Sequence, residues 1–202
     1  MQAAEKTAFP DIDTWRRTVV KPGDDVQYLR PEFYEYYRTK YEICREAEPE
    51  SICEIGVRFG YSAYSFLSAV PGAFYCGFDI IAGTHGGAKG VDTFGYVYKL
   101  LTENFPDAVV FLKHCDTRKI ESLGGPYDFI HVDGDHSGVG CGHDLDLALS
   151  ACNAGGTILV DDYNYIKGVT RACDEFAEKN ADEFAGIESR HSLRGELILK
   201  KK

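Results

Sequence analysis

The 202-residue sequence contains one methionine, one tryptophan, no C-x-x-C pair and no run of about 18 apolar residues. The last absence argues against a membrane-spanning helix. Met1 to Pro10 also lacks the apolar stretch of a secretory leader, so the expected location is cytoplasmic. Basic residues are scarce, with 22 Lys and Arg against 32 Asp and Glu and a formal net charge of −10. That balance disfavours nucleic acid and anionic membranes, both of which reward clustered cations. Small, neutral or cationic partners fit better. The seven cysteines are scattered through the chain, without the short paired spacings of zinc sites, and read as reduced small hydrophobes. No Pro/Ser-rich linker or charge block divides the chain, and 44% hydrophobic residues suffice for one core. One domain is expected, with residues 1–48 as a helical cap and 49–202 as a cofactor-binding body.

What is present begins with Ile52-Cys53-Glu54-Ile55-Gly56-Val57-Arg58-Phe59-Gly60-Tyr61-Ser62, an apolar strand passing through a glycine turn into a helix. Glycine lets backbone turn sharply and approach a ligand, and the helix start offers free N–H groups. The spacing is E-x-G-x-x-x-G. Arg58 and Phe59 stand where a dinucleotide turn would carry more glycine, which weakens a pyrophosphate reading.

Apolar runs predict strands at Ser51–Ile55, Phe74–Asp79, Val109–Lys113, Tyr127–Asp133 and Thr157–Asp161. Helical periods fall at Tyr61–Val70, Asp92–Asn104, Thr117–Ser122, Gly142–Asn153 and Lys167–Asn180. This alternation predicts an α/β fold, a doubly wound, mostly parallel seven-stranded sheet covered on both faces. Phe184–Arg190 and Gly195–Lys200 should close it as an antiparallel hairpin. Pro31 opens an earlier helix with Tyr34, Tyr37, Tyr41 and Cys44 on one face, which reads as docked on the sheet ahead of lidding the site.

In such a sheet the ligand lies beyond the carboxyl ends of the strands. Those ends are acidic here: Glu54, Asp79, Asp116, Asp133, Asp161 and Asp162. Asp79 lies about 20 residues beyond the turn, where an acid accepts ribose hydroxyls. Asp133, Asp161 and Asp162 form an oxygen-only set suited to a hard divalent ion such as Mg2+. His136 follows Asp133 by three residues, and a histidine beside a cation is a means of deprotonating a hydroxyl near neutral pH. Taken singly, Asp162 reads as a helix cap and His136 as a turn residue; jointly they read as a site. His131, inside a strand, reads as a satisfied core histidine.

Glu54-Ile55-Gly56-Val57-Arg58-Phe59-Gly60-Tyr61-Ser62, Gly77-Phe78-Asp79, Val132-Asp133-Gly134-Asp135-His136 and Val160-Asp161-Asp162-Tyr163 together resemble the class I S-adenosylmethionine-dependent methyltransferases. The closest likeness is to the metal-dependent small-molecule O-methyltransferases of methyltransferase family 24, of the cephalosporin-hydroxylase-like and macrolide-sugar type. The resemblance implies that Glu54, Gly56, Val57, Arg58, Gly60, Tyr61 and Ser62 surround the methionine end of the cofactor. It further implies that Asp79 binds the ribose and that Cys115 and Asp116 flank the adenine, with Ile80, Asp133 and Gly134 also among the cofactor-binding residues. Asp133, Asp161 and Asp162 match the metal positions, and His136 the general base. Two stretches depart from the pattern: Ser137–Gly142 with its three glycines, and the long loop Ala82–Gly90, which reads as a connection or a lid.

The reading is an S-adenosylmethionine- and Mg2+-dependent O-methyltransferase acting on a small-molecule hydroxyl, with His136 and Asp133 catalytic. A hydroxylase of the same family, a non-catalytic S-adenosylmethionine-binding module and a nicotinamide dehydrogenase are the rivals. Residues that read the acceptor are expected from Asp11–Tyr41, the 82–90 loop and Tyr163–Tyr165; a homo-oligomer is an open expectation.

Overall fold

The computed structural model describes residues 8–81 and 93–202. The Ala82–Gly90 loop, and Asp92 at the expected start of a helix, lie outside the described residues. Strands β1 (Ser51–Ile55), β2 (Phe74–Asp79), β3 (Val109–His114), β4 (Tyr127–Val132), β5 (Cys152–Val160), β6 (Phe184–Arg190) and β7 (Glu196–Lys201) form one sheet in the order β3-β2-β1-β4-β5-β7-β6. The first five are parallel, and β7 enters antiparallel between β5 and β6. From β1 the chain builds outward through β2 and β3, then returns to place β4 on the other side of β1. The switch point therefore lies between β1 and β4, and the crevice opens at their carboxyl ends.

Helices α1 (Ile12–Thr18), α2 (Pro31–Ala47), α3 (Tyr61–Ala69) and α4 (Thr93–Asn104) precede β3, and α5 (Gly138–Ala151) and α6 (Lys167–Lys179) follow β4. Two apolar clusters cover the sheet. One gathers Trp15, Tyr41, Phe66, Leu67 and Leu101. The other gathers Ile130, Leu145, Ile158, Cys173 and Phe176. Every residue of α3 is buried, which suits its apolar sequence, and Ser65 and Ser68 donate to the Tyr61 and Tyr64 carbonyls at 2.9 and 2.8 Å. Trp15, wholly buried, anchors α1 against the rings of Tyr37, Tyr61 and Tyr64.

Three elements differ from expectation. Thr117–Ser122 is only a 3-10 turn over Thr117–Lys119, because Asp116 caps it through the Arg118 N–H and the chain is extended again at Ile120. Helix α5 starts at Gly138, capped by Ser137 accepting from Gly140 N–H. Those glycines allow close approach: a Cβ on Gly140 would fall 2.2 Å from the Asp135 carboxylate. Strand β5 begins five residues early, at Cys152.

The aromatic face of α2 is also wider than its sequence suggested. Tyr41 and Cys44 are buried as expected, Tyr34 and Tyr37 are partly buried, and Phe33, Tyr36, Lys40 and Ile43 are buried as well. All seven cysteines are free, six of them buried. Among the described residues no helix is long and apolar enough to cross a membrane.

Candidate active site

A cleft of about 510 Å³ opens at the carboxyl ends of β1, β2 and β4, a size within the range of small-molecule sites. The glycine turn forms its floor. Gly56 has φ +92°, and a Cβ there would fall 1.9 Å from the Asp133 carbonyl oxygen, so only glycine lets the loops after β1 and β4 meet. Asp79 Oδ2 accepts from the Val57 and Arg58 N–H groups at 3.0 and 2.8 Å, and Oδ1 from Ile81 N–H at 2.6 Å. The turn is thereby pinned to the end of β2. Arg58 is clamped to Asp24 at 2.6 and 2.8 Å, and Tyr61 donates to the same carboxylate at 2.8 Å. The N-terminal segment thus straps the rim of the cleft.

Of the residues expected around a cofactor, Gly56, Val57, Arg58, Tyr61, Ser62, Asp79, Ile80, Cys115, Asp116, Asp133 and Gly134 line the cleft. Glu54 and Gly60 do not. Glu54 is wholly buried behind Ser62, where Ser62 Oγ and Tyr75 OH donate to its carboxylate and His131 Nδ1 lies 2.9 Å away. It braces the wall of the site and does not form its surface. Gly60, at φ +74°, makes room for Val97 at the start of α3. His131 is the satisfied core histidine that its strand position suggested.

The acidic corner departs from an all-carboxylate triad. Asp161, 2% exposed, does not line the cleft: Lys40 Nζ lies 3.1 Å from its Oδ1 and Tyr36 OH donates to its Oδ2. Burial by itself would raise its pKa, but the ammonium of Lys40 prevails and holds the carboxyl well below the usual range. Asp133 belongs to two candidate donor sets, His131–Asp133–Asp161 behind the cleft and Asp133–His136–Asp162 facing it; in the second, His136 Nε2 lies 3.2 Å from Asp133 Oδ1 and 3.4 Å from Asp162 Oδ2.

Asp162 sits at φ +59° with Oδ2 buried and without a hydrogen-bond partner. Burial, then the charges of Asp161 and Asp133, push its pKa up to about 7. His136 moves to about 9, chiefly through its hydrogen bond to Asp133, which outweighs desolvation. Two carboxylates and an imidazole within 4.8 Å, one oxygen of them orphaned, are a donor set that fits a divalent cation.

Arg194 closes the corner, 3.4 Å from Asp162 Oδ1 and packed by the rings of Phe33, Tyr36 and Tyr165. Asp24, Tyr36 and Lys40 fall in the Asp11–Tyr41 stretch expected to read the acceptor but were not singled out, and Arg194 was not foreseen. The available signal was Lys40 itself, a lone cation one helical turn from Tyr36 on the aromatic side of α2; Arg194, in a hairpin turn, gave none.

The sequence profile described as a methyltransferase domain matches residues 53–163, more than half of the chain. No curated protein matches it. Among solved structures, the chain is similar to the S-adenosylhomocysteine-bound methyltransferase PaMTH1 of Podospora anserina (TM-score 0.67, 17% identity, 96% of this chain and 89% of that one). It is also similar to the Bacillus cereus O-methyltransferase in complex with S-adenosylhomocysteine (TM-score 0.60, 16% identity, 95% and 89% covered). A third likeness is TomG of Streptomyces achromogenes, an O-methyltransferase involved in tomaymycin synthesis, in complex with S-adenosylmethionine (TM-score 0.61, 13% identity, 96% and 100% covered). At these identities the three show a common fold. The match of the profile, spanning the glycine turn, the end of β2, the Asp133–His136 segment and Asp161–Tyr163, shows that this chain belongs to the methyltransferase-domain family.

Proposed function

We propose that this protein is an S-adenosylmethionine-dependent O-methyltransferase that acts on a hydroxyl of a small molecule and uses a divalent cation, with Mg2+ the leading candidate. The observation that carries the reading is the juxtaposition, in one cleft, of the glycine turn with a buried Asp162 oxygen that no hydrogen bond satisfies and that faces His136 at 3.4 Å. S-adenosylmethionine supplies an electrophilic sulfonium methyl, which needs little further activation. The work left to the protein is to hold a nucleophilic oxygen in line and exclude water.

Gly56, Val57 and Ser62 would cradle the methionine end, Asp79 the ribose, and Cys115 with Asp116 the adenine side. Asp133 and Asp162 would hold the cation, with His136 alongside; Asp161, engaged by Lys40, would stay outside the set. A divalent cation bound there lowers the pKa of an adjacent hydroxyl. Asp133 holds His136 protonated in the cation-free corner; a cation drawing on the Asp133 and Asp162 carboxylates would weaken that hold, and the neutral imidazole would then stand where it can take the proton. Tyr28, Tyr36, Tyr37 and Tyr165 line the cleft and offer apolar surface to a ring or sugar face.

The test is a calorimetric titration with S-adenosylhomocysteine, with Mg2+ and with chelator, NAD serving as control. Selective binding of S-adenosylhomocysteine supports the cofactor assignment, and a separate heat on adding Mg2+ supports the metal. A loss of the first signal in both buffers sinks the reading.

A further inference from the structure

Beneath the acidic corner runs a chain of buried polar contacts that no surface residue of the cleft reveals. It begins on α2, where Tyr36 and Lys40 stand one helical turn apart and therefore point the same way. Both reach Asp161, Lys40 at 3.1 Å to Oδ1 and Tyr36 through its hydroxyl to Oδ2. The same Oδ1 accepts the N–H of Asp162 at 2.8 Å. On the other side Lys40 Nζ donates to Glu196 Oε1 on β7 at 2.9 Å and lies 3.5 Å from His131 Nε2, whose Nδ1 faces Glu54. Ser62, on the cofactor side, donates to Glu54. Ser62 and Asp162 line the cleft, whereas Lys40, Glu54, His131 and Glu196 have no exposed surface.

The geometry points to Lys40 as a positioning residue: through Asp161 it sets the left-handed pose of Asp162, and so the direction in which the Asp162 carboxylate meets His136.

A non-glycine residue at φ +59° is strained and persists only where its surroundings over-determine it. The Asp162 carbonyl accepts from the Tyr165 and Ile166 N–H groups, both at 3.0 Å, and its N–H is fixed by an acceptor that is itself fixed from two sides; the second hold is the one that Lys40 controls. An ammonium does what a neutral donor would not, since two buried carboxylates, Asp161 and Glu196, converge on it. A buried ion left without its partner is strongly destabilised, so Asp161 without Lys40 would lose the contact that orients its Oδ1 and swing away, releasing Asp162. Helix α2 thereby becomes a component of the site, although none of its own residues belongs to the methyltransferase motifs. The inference rests on the proposed function only for what the corner binds.

A structural role for Lys40 is separable from a positioning one. Lys40→Met leaves two buried carboxylates uncompensated. Lys40→Met with Glu196→Gln removes one charge of each sign, keeps the local balance and still deprives Asp161 of its partner. The first readout is amide hydrogen exchange at Asp162 in the metal-free protein, with Ile158 and Leu159 of β5 as internal controls. In the wild type the Asp162 amide should be protected; fast exchange there would overturn the inference without any variant. In the folded double variant its protection should fall about tenfold or more while the controls hold.

The second readout is Mn2+ titration, where the double variant should bind about 10–100-fold more weakly, as when a metal ligand loses its support. S-adenosylhomocysteine affinity should change less than about twofold. Retained Asp162 protection, or unchanged Mn2+ affinity, in the folded double variant would overturn the proposal. A wild type that binds neither probe would remove the proposed function, and the amide measurement would still decide the role of Lys40.

Discussion

The two edges of the sheet handle a carboxylate in opposite ways. At the amino end Asp128 accepts from the Glu50 and Ser51 N–H groups at 3.1 and 3.0 Å, from Ser51 Oγ at 2.8 Å and from Asn153 Nδ2 at 2.6 Å, tying β4 to β1 and β5. Burial alone would raise its pKa, but these donors prevail and lower it. At the carboxyl end Asp162 has an orphaned oxygen, a left-handed backbone and a pKa near 7. A carboxylate saturated with donors joins strands. One held only by long contacts to Arg194 and His136 and crowded by its own kind is held ready for a cation, a proton or a substrate.

The sharpest way to break this contrast is at His136. His136→Ala should lower turnover by about 100-fold or more, the usual weight of a general base, with S-adenosylhomocysteine affinity changed less than about twofold. Steady-state kinetics beside calorimetry checks it, and equal turnover would remove the base assignment.

Next in size is Asp162→Asn, which should abolish the Mg2+-dependent rise in thermal midpoint yet stabilise the metal-free protein by roughly 1–3 kcal/mol at pH 8. The sign follows from linkage. A carboxyl raised from 3.8 to about 7 in the folded state contributes stability below pH 4 that is lost as pH rises through 7. Glu196, also raised to about 7 by burial, acts in the same direction. Thermal midpoints of chelated protein from pH 5 to 8 should therefore fall, and fall less steeply in Asp162→Asn.

The matching change at the other edge, Asp128→Asn, should cost about 1–3 kcal/mol of stability at neutral pH, because it weakens several charge-assisted hydrogen bonds. It should leave turnover alone. Here the pH dependence reverses: with a lowered folded pKa, the stabilisation is present above about pH 4 and disappears as pH falls through the folded value. Urea melts of wild type and variant at pH 7 and pH 3 should converge on the acid side.

The smallest effect is expected at Arg194→Gln. Loss of one 3.4 Å contact to Asp162 should raise the acceptor KM about threefold, with little change in Tm. A Tm drop as large as that of Asp128→Asn would place Arg194 with the structural group.

Much of this was legible in the order of residues. The strand limits Ser51–Ile55, Phe74–Asp79 and Phe184–Arg190 match, because Gly, Pro or Asp punctuates short apolar runs. Gly56, Asp79, Asp133 and His136 were legible because a close backbone approach, or an acid at a strand end, leaves a local mark. Helix α5 began earlier than its pattern, since glycines at 138, 140 and 142 obscure helical propensity, while Gly138 serves contact with α6 and Gly140 with Asp135. Asp161 looked equivalent to Asp162 in sequence, and only Lys40, 121 positions away, separates them.

The sequence by itself determined the alternation of strands and helices, the glycine turn and the acids at the strand ends, all of which depend on local periodicity and backbone chemistry. The tertiary structure decided which acids face the cleft and which are neutralised beneath it. Adjacent residues on one chain, Asp161 and Asp162, differ because one meets Lys40 and Tyr36 of α2 in a closed space while the other turns toward His136. Burial and the identity of the nearest charge set the state of a carboxylate, and both are properties of the packed molecule.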